Sequence, residues 1–96
     1  MSTYRRIAAV DLSWRIVEFI SKAKGPVSGQ QVSDGLAVAH GTVMCHLTTL
    51  EDRRVLTRIG GDHFELGMAI ALMWARKKSE LESSRERIDR DLQSIQ

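Results

Sequence analysis

Val27-Ser28-Gly29-Gln30-Gln31-Val32-Ser33-Asp34-Gly35-Leu36, Ala37-Val38-Ala39, and His40-Gly41-Thr42-Val43-Met44-Cys45-His46-Leu47-Thr48-Thr49-Leu50-Glu51 run consecutively through the middle of the chain. The first and third stretches read as short helices and the second as a tight turn between them. Ser28 is a plausible N-cap, with Gln31 three residues on to complete a capping box. Val32 and Leu36 lie one turn apart and face inward; in the following helix Val43, Leu47 and Leu50 share one face. Thr42, Cys45, Thr49 and Asp52 fall on the opposite face with Thr48 beside them, and His46 lies on the flank. One side is thus apolar and the other small and polar, the division a helix needs to sit on a scaffold and enter a groove. Next, Val55-Leu56-Thr57-Arg58-Ile59 alternates as a strand should, Gly60-Gly61-Asp62 makes a turn, and His63-Phe64-Glu65-Leu66 returns. Two helices, a tight turn and a hairpin predict a mostly α winged helix-turn-helix with a small β-hairpin wing.

Working outward, the segment from Tyr4 to Lys24 predicts a first helix. Ile7, Val10, Trp14 and Val17 recur at helical spacing, and Leu12, Ile16, Phe19 and Ile20 widen the apolar face. Lys22 and Lys24 suit the negative end of the helix dipole, and Gly25-Pro26 ends the helix. Beyond Gly67, residues 68–95 contain neither proline nor glycine and are rich in strong helix formers. The expected division is a winged helix-turn-helix over 1–67 and a long C-terminal helix over 68–96. Trp74, Leu81, Ile88 and Ile95 recur every seven residues and Leu92 joins them, although Lys78 and Arg85 interrupt the seam. That helix could pair two chains, fold back on its own domain, or stand solvated from about Lys78 onward.

The bulk numbers narrow the function. Ninety-six residues, 43% hydrophobic and 27% charged, fit one globular domain with an appendage. No apolar run approaches the roughly 18 residues that a membrane span needs, and no leader pattern opens the chain, so a cytoplasmic location is expected. The single cysteine excludes an intrachain disulfide. His40, Cys45, His46 and His63 show no clustered ligand pairs, so no metal is expected. Cys45 would serve as a redox switch only with a lowered pKa, and no neighbouring cation in the sequence assures one. No phosphate loop or nucleophile motif appears, which argues against an enzyme and against a cofactor. The net charge of +2 is low for a domain that binds nucleic acid, though a dimer doubles it on one duplex and placement matters more than totals.

From Val32 to Gly67 the chain resembles the DNA-binding domain of the IclR family of bacterial transcription regulators. The resemblance rests on the leucine-bearing helix Val32–Ala37, the threonine-opened helix Thr42 to Glu51 with its two leucines, and Phe64-Glu65-Leu66-Gly67 closing the wing. Gly25-Pro26-Val27-Ser28 at the end of the first helix is similar as well. There are departures. Cys45 stands where the family usually has an arginine able to read guanine, His46 where it has an apolar residue, and Arg54 where it has a glycine. The family's effector domain has no counterpart in these residues, so the resemblance implies a stripped-down regulator without a small-molecule effector, of the kind mobile elements encode.

The expected partner is double-stranded DNA, bound by a homodimer that acts on transcription, most simply as a repressor. Thr42, Cys45, Thr48 and Thr49 are candidates for the groove, and His40 and Gly41 for a phosphate at the helix start. Ser28, Gln30 and Gln31 are candidate backbone clamps. Arg53, Arg54 and Arg58 are either phosphate contacts or solvated charges beside Glu51 and Asp52. Arg58, Gly61 and His63 near the wing tip face a minor groove in this reading, against the charge of Asp62, and Arg5 and Arg6 are either an N-terminal arm on DNA or an ordinary ragged basic terminus. Trp74, Leu81, Ile88, Leu92 and Ile95 are the dimerisation candidates. The alternatives are a winged-helix module that binds protein and a nonspecific architectural DNA protein.

Overall fold

The computed structural model describes residues 3–95. In chain order the elements are α1 (Ala8–Lys22), β1 (Val27–Ser28), α2 (Gly29–Leu36), α3 (His40–Asp52), β2 (Leu56–Ile59), β3 (His63–Leu66) and α4 (Met68–Ile95). The strands form one antiparallel sheet in the order β1-β3-β2. Winged helix-turn-helix and C-terminal helix are therefore both present.

Three element boundaries differ from the sequence reading. First, α1 begins at Ala8 and not at Tyr4. Its N-cap, Ile7, makes no side-chain cap hydrogen bond, and Tyr4 and Ile7 are exposed, so burial does not stabilise an earlier turn. Second, α1 stops at Lys22, and Ala23 is already extended. The chain must straighten before Pro26, which disfavours helix in the residue ahead of it. Third, Val27 is not helical. It is a strand residue, buried and paired with Phe64.

The core gathers Ile16 and Ile20 of α1, Val27 of β1, Val32 of α2, Val43 and Leu47 of α3, Leu56 of β2 and Phe64 of β3. The fully buried residues of α1 lie in its C-terminal half, and Leu12 packs against the core from the N-terminal half. Ile7, Val10 and Trp14, read from spacing as part of its inward face, remain exposed, Trp14 at 55%; the face that packs on the core runs through Leu12, Ile16 and Ile20.

Both helices of the helix-turn-helix end in the same way. After α2, Ala37 is left-handed at φ 55°, and the Val38 N–H donates to the Ser33 carbonyl at 3.1 Å. After α3, Arg54 is left-handed at φ 61°, and the Val55 N–H donates to the Leu50 carbonyl at 2.9 Å. Each is a Schellman-type closure, which satisfies helix-end carbonyls and usually places glycine at the left-handed position. The Ser33 hydroxyl also donates to the Val38 carbonyl and pins the first turn from inside.

The root of α4 is anchored at the second closure. The Arg54 carbonyl accepts from the Ala69 N–H at 3.0 Å, and the Gly67 N–H donates to the Val55 carbonyl at 2.8 Å. A Cβ on Gly67 would collide with the Arg54 carbonyl oxygen. Beyond this root α4 has no buried residue. Its 28 residues span about 42 Å at helical rise. The radius of gyration is 18.5 Å, well above the roughly 12–13 Å of a compact chain of this length.

Candidate nucleic-acid interface

The helix-turn-helix is held by close approach of its two helices. A Cβ on the buried Gly29 would lie 2.5 Å from the Met44 sulfur and 3.5 Å from the His40 ring. The start of α2 therefore rests on α3, with Gly29 beside His40, Met44 and Leu47. Sequence reasoning missed Gly29; its place one residue after an N-cap gives no local signal of a helix contact.

The capping box at Ser28 is formed in full. Ser28 Oγ accepts from the Gln31 N–H at 3.1 Å, and Gln31 Oε1 accepts from the Ser28 N–H at 2.8 Å. This leaves the Ser28 hydroxyl proton and the Gln31 amide N–H groups as donors. Gln30 donates from Nε2 to Asp34 Oδ1 at 2.9 Å.

On α3, Val43 and Leu47 are buried, whereas Gly41, Thr42, Cys45, Thr48, Thr49 and Asp52 are exposed. The outward face carries no cation. The Thr49 hydroxyl donates to the Cys45 carbonyl at 2.9 Å, so towards a ligand it offers lone pairs and a methyl group. His46 is half-buried, and its Nδ1 lies 2.7 Å from Ser13 Oγ of α1. This polar tie between α1 and α3 was not foreseen, since 33 residues separate the partners.

The wing is arranged differently from the sequence expectation. Arg58 does not project freely. Its Nε and Nη2 donate to the Glu51 carboxylate at 3.1 Å each, and its Nη1 donates to the Gly61 carbonyl at 2.6 Å. Its guanidinium stands 4.7 Å from the centroid of Phe64, its direct partner across β2 and β3. Glu51 pushes the Arg58 pKa above its ordinary value, chiefly through the hydrogen bond; desolvation opposes this more weakly. At the tip, Gly60 and Gly61 have φ of 69° and 121°, and His63 Nδ1 lies 2.7 Å from Asp62 Oδ1. Arg53 and Arg54 are exposed just past α3, and Arg5 and Arg6 are exposed ahead of α1.

An apolar groove lies between α1 and the root of α4, lined by Trp14, Val17, Leu50, Val55, Ile70 and Met73. Along α4, Trp74, Leu81, Ile88, Leu92 and Ile95 are all more than half exposed. Among the described residues no three His, Cys, Asp or Glu side chains come together as a metal-binding group, and no helix is long and apolar enough to cross a membrane.

The fold is similar to two crystal structures. One is an IclR transcriptional regulator from Alicyclobacillus acidocaldarius, matched with a TM-score of 0.71 and 21% identity over 76% of this chain and 30% of that one. The other is an IclR family transcriptional regulator from Brucella abortus, with a TM-score of 0.68 and 13% identity over 84% of this chain and 33% of that one. At such identities the likeness is one of fold. No family model matches the chain, and no curated protein matches its sequence.

Proposed function

We propose that the chain is a sequence-specific, double-stranded DNA-binding regulator of transcription that works as a homodimer and represses by occupying its site. The observation that carries this reading is the outward face of α3. Thr42, Cys45, Thr48 and Thr49 are exposed on a helix whose other side is locked into the core, next to the helix start bearing Ser28, Gln30 and Gln31. In this reading α3 enters the major groove and its threonines meet base edges or thymine methyls. Ser28, Gln31, His40 and Gly41 donate to the phosphate backbone, Arg53 and Arg54 add charge beside it, and Gly61 and His63 lie along the adjacent groove. Pairing through Trp74, Leu81, Ile88, Leu92 and Ile95 would set two such helices about one DNA turn, roughly 34 Å, apart.

Selection of bound duplexes from a random pool near physiological salt tests the reading, with Thr42→Ala plus Thr49→Ala as the control. An enriched inverted repeat, lost in the double variant, is the expected result. Binding without enrichment would mean backbone recognition only. A pool from which nothing is retained would favour a protein-binding winged helix, the reading to which the cation-free face of α3 and the exposed Trp14 and Trp74 would then belong.

A further inference from the structure

We propose that Arg58 is a positioning residue that clasps the wing to the recognition helix α3, and not a contact to nucleic acid. All three guanidinium nitrogens are engaged within the chain. Nε and Nη2 grip Glu51 in the last turn of α3, and Nη1 holds the Gly61 carbonyl at the wing tip. The aromatic ring of Phe64 backs the guanidinium at 4.7 Å, and Phe64 itself is fully buried. One side chain thus joins three points: the end of the helix, the middle of β2 and the turn beyond it. Gly60 and Gly61 both have positive φ, and a turn of two glycines is intrinsically mobile. The bond to Gly61 supplies the order that the turn lacks. The planar fork of arginine reaches two acceptors on different sides, which a lysine ammonium cannot do with the same geometry. Pairing with Glu51 also neutralises the charge that a phosphate contact would need.

The clasp itself stands without the DNA-binding reading; its consequence at a duplex rests on that reading. Two measurements keep the failures apart. The first is amide hydrogen exchange of residues 58–63 in the free protein, by NMR, for the wild type, Glu51→Gln and Arg58→Lys. A clasp predicts exchange about fivefold faster in both variants, with the core amides of α1 and α3 unchanged. Wild-type exchange in either variant overturns it. The second is affinity for a random-sequence duplex as a function of salt. A positioning role predicts that Arg58→Lys, which keeps the charge and loses the fork, weakens binding about threefold while the slope against log salt stays unchanged. A phosphate contact predicts instead that Arg58→Lys keeps both the affinity and the slope. That pattern overturns the proposal. If the wild type binds no duplex, the DNA-binding reading fails and the exchange result alone decides the clasp.

Discussion

Ala37 and Arg54 occupy equivalent places, each the left-handed residue that closes a helix of the helix-turn-helix. A side chain in that conformation crowds its own carbonyl and costs roughly 1–2 kcal/mol, and glycine alone escapes it. Both positions are exposed, so their side chains bury little that would offset this strain. Ala37→Gly and Arg54→Gly are each expected to stabilise the fold by about 0.5–1 kcal/mol, the relief of strain being partly offset by the freer unfolded chain. Urea denaturation with an unchanged m-value would show it. A loss of stability in both variants would mean that neither residue is strained. The end of α3 is thus left-handed with an arginine at the place where such closures usually have glycine. The sequence marks the substitution but not the backbone, because a left-handed residue other than glycine has no local signature.

At the scale of elements, the parts readable from sequence are those specified by neighbours in the chain. The Ser28–Gln31 capping box, the inward spacing of Val43 and Leu47 and the Gly60-Gly61 turn all lie within one or two turns of what they specify. What escaped is specified across the fold. β1 is only two residues long and exists because Val27 pairs with Phe64, which no window around Val27 reveals. The grip of Arg58 on Glu51 joins a strand to a helix, so a charge beside other charges in the sequence looks solvated when it is held. The outward face of α3 was legible as a face from its helical period, while the tie of His46 to Ser13 on its flank was not. Gly67 belongs with the hidden features. It reads as a boundary residue, yet the Arg54 carbonyl occupies the space beside it and accepts from the Ala69 N–H, while the Ile70 and Ala71 N–H groups donate to the carbonyl of Gly67 itself. Gly67→Ala is expected to cost about 1–3 kcal/mol, the range for forcing a methyl group into packed space, and to loosen the start of α4. Thermal unfolding followed by circular dichroism checks the first effect, and amide exchange at Ala69 and Ile70 the second. An alanine variant as stable as the wild type would mean that the α4 root yields at little cost.

For the whole molecule, the question is what the long helix is for. Beyond its partly buried root at Ala69 and Ile70, α4 is exposed along its length, and a helix with one apolar stripe and no partner is marginal in water. Trp74, Leu81, Ile88 and Ile95 recur every seven residues, each between 52% and 80% exposed, and a stripe of that period meets a like stripe on a second helix. In the proposed dimer, Lys78 and Arg85 within the seam would weaken the pairing, so dimerisation should depend strongly on the apolar positions that remain. Leu81→Glu together with Ile88→Glu is expected to give a monomer in analytical ultracentrifugation at concentrations where the wild type is a dimer. The winged domain should keep its unfolding midpoint, because neither residue touches its core. If DNA is the partner, affinity for an inverted repeat should fall about 100-fold, as a linked second site is lost, while binding to a single half-site stays unchanged. A double variant that remains dimeric would move the interface off this stripe and towards the apolar groove of Trp14, Ile70 and Met73 at the root of α4, where the same experiment with Trp14→Glu would find it.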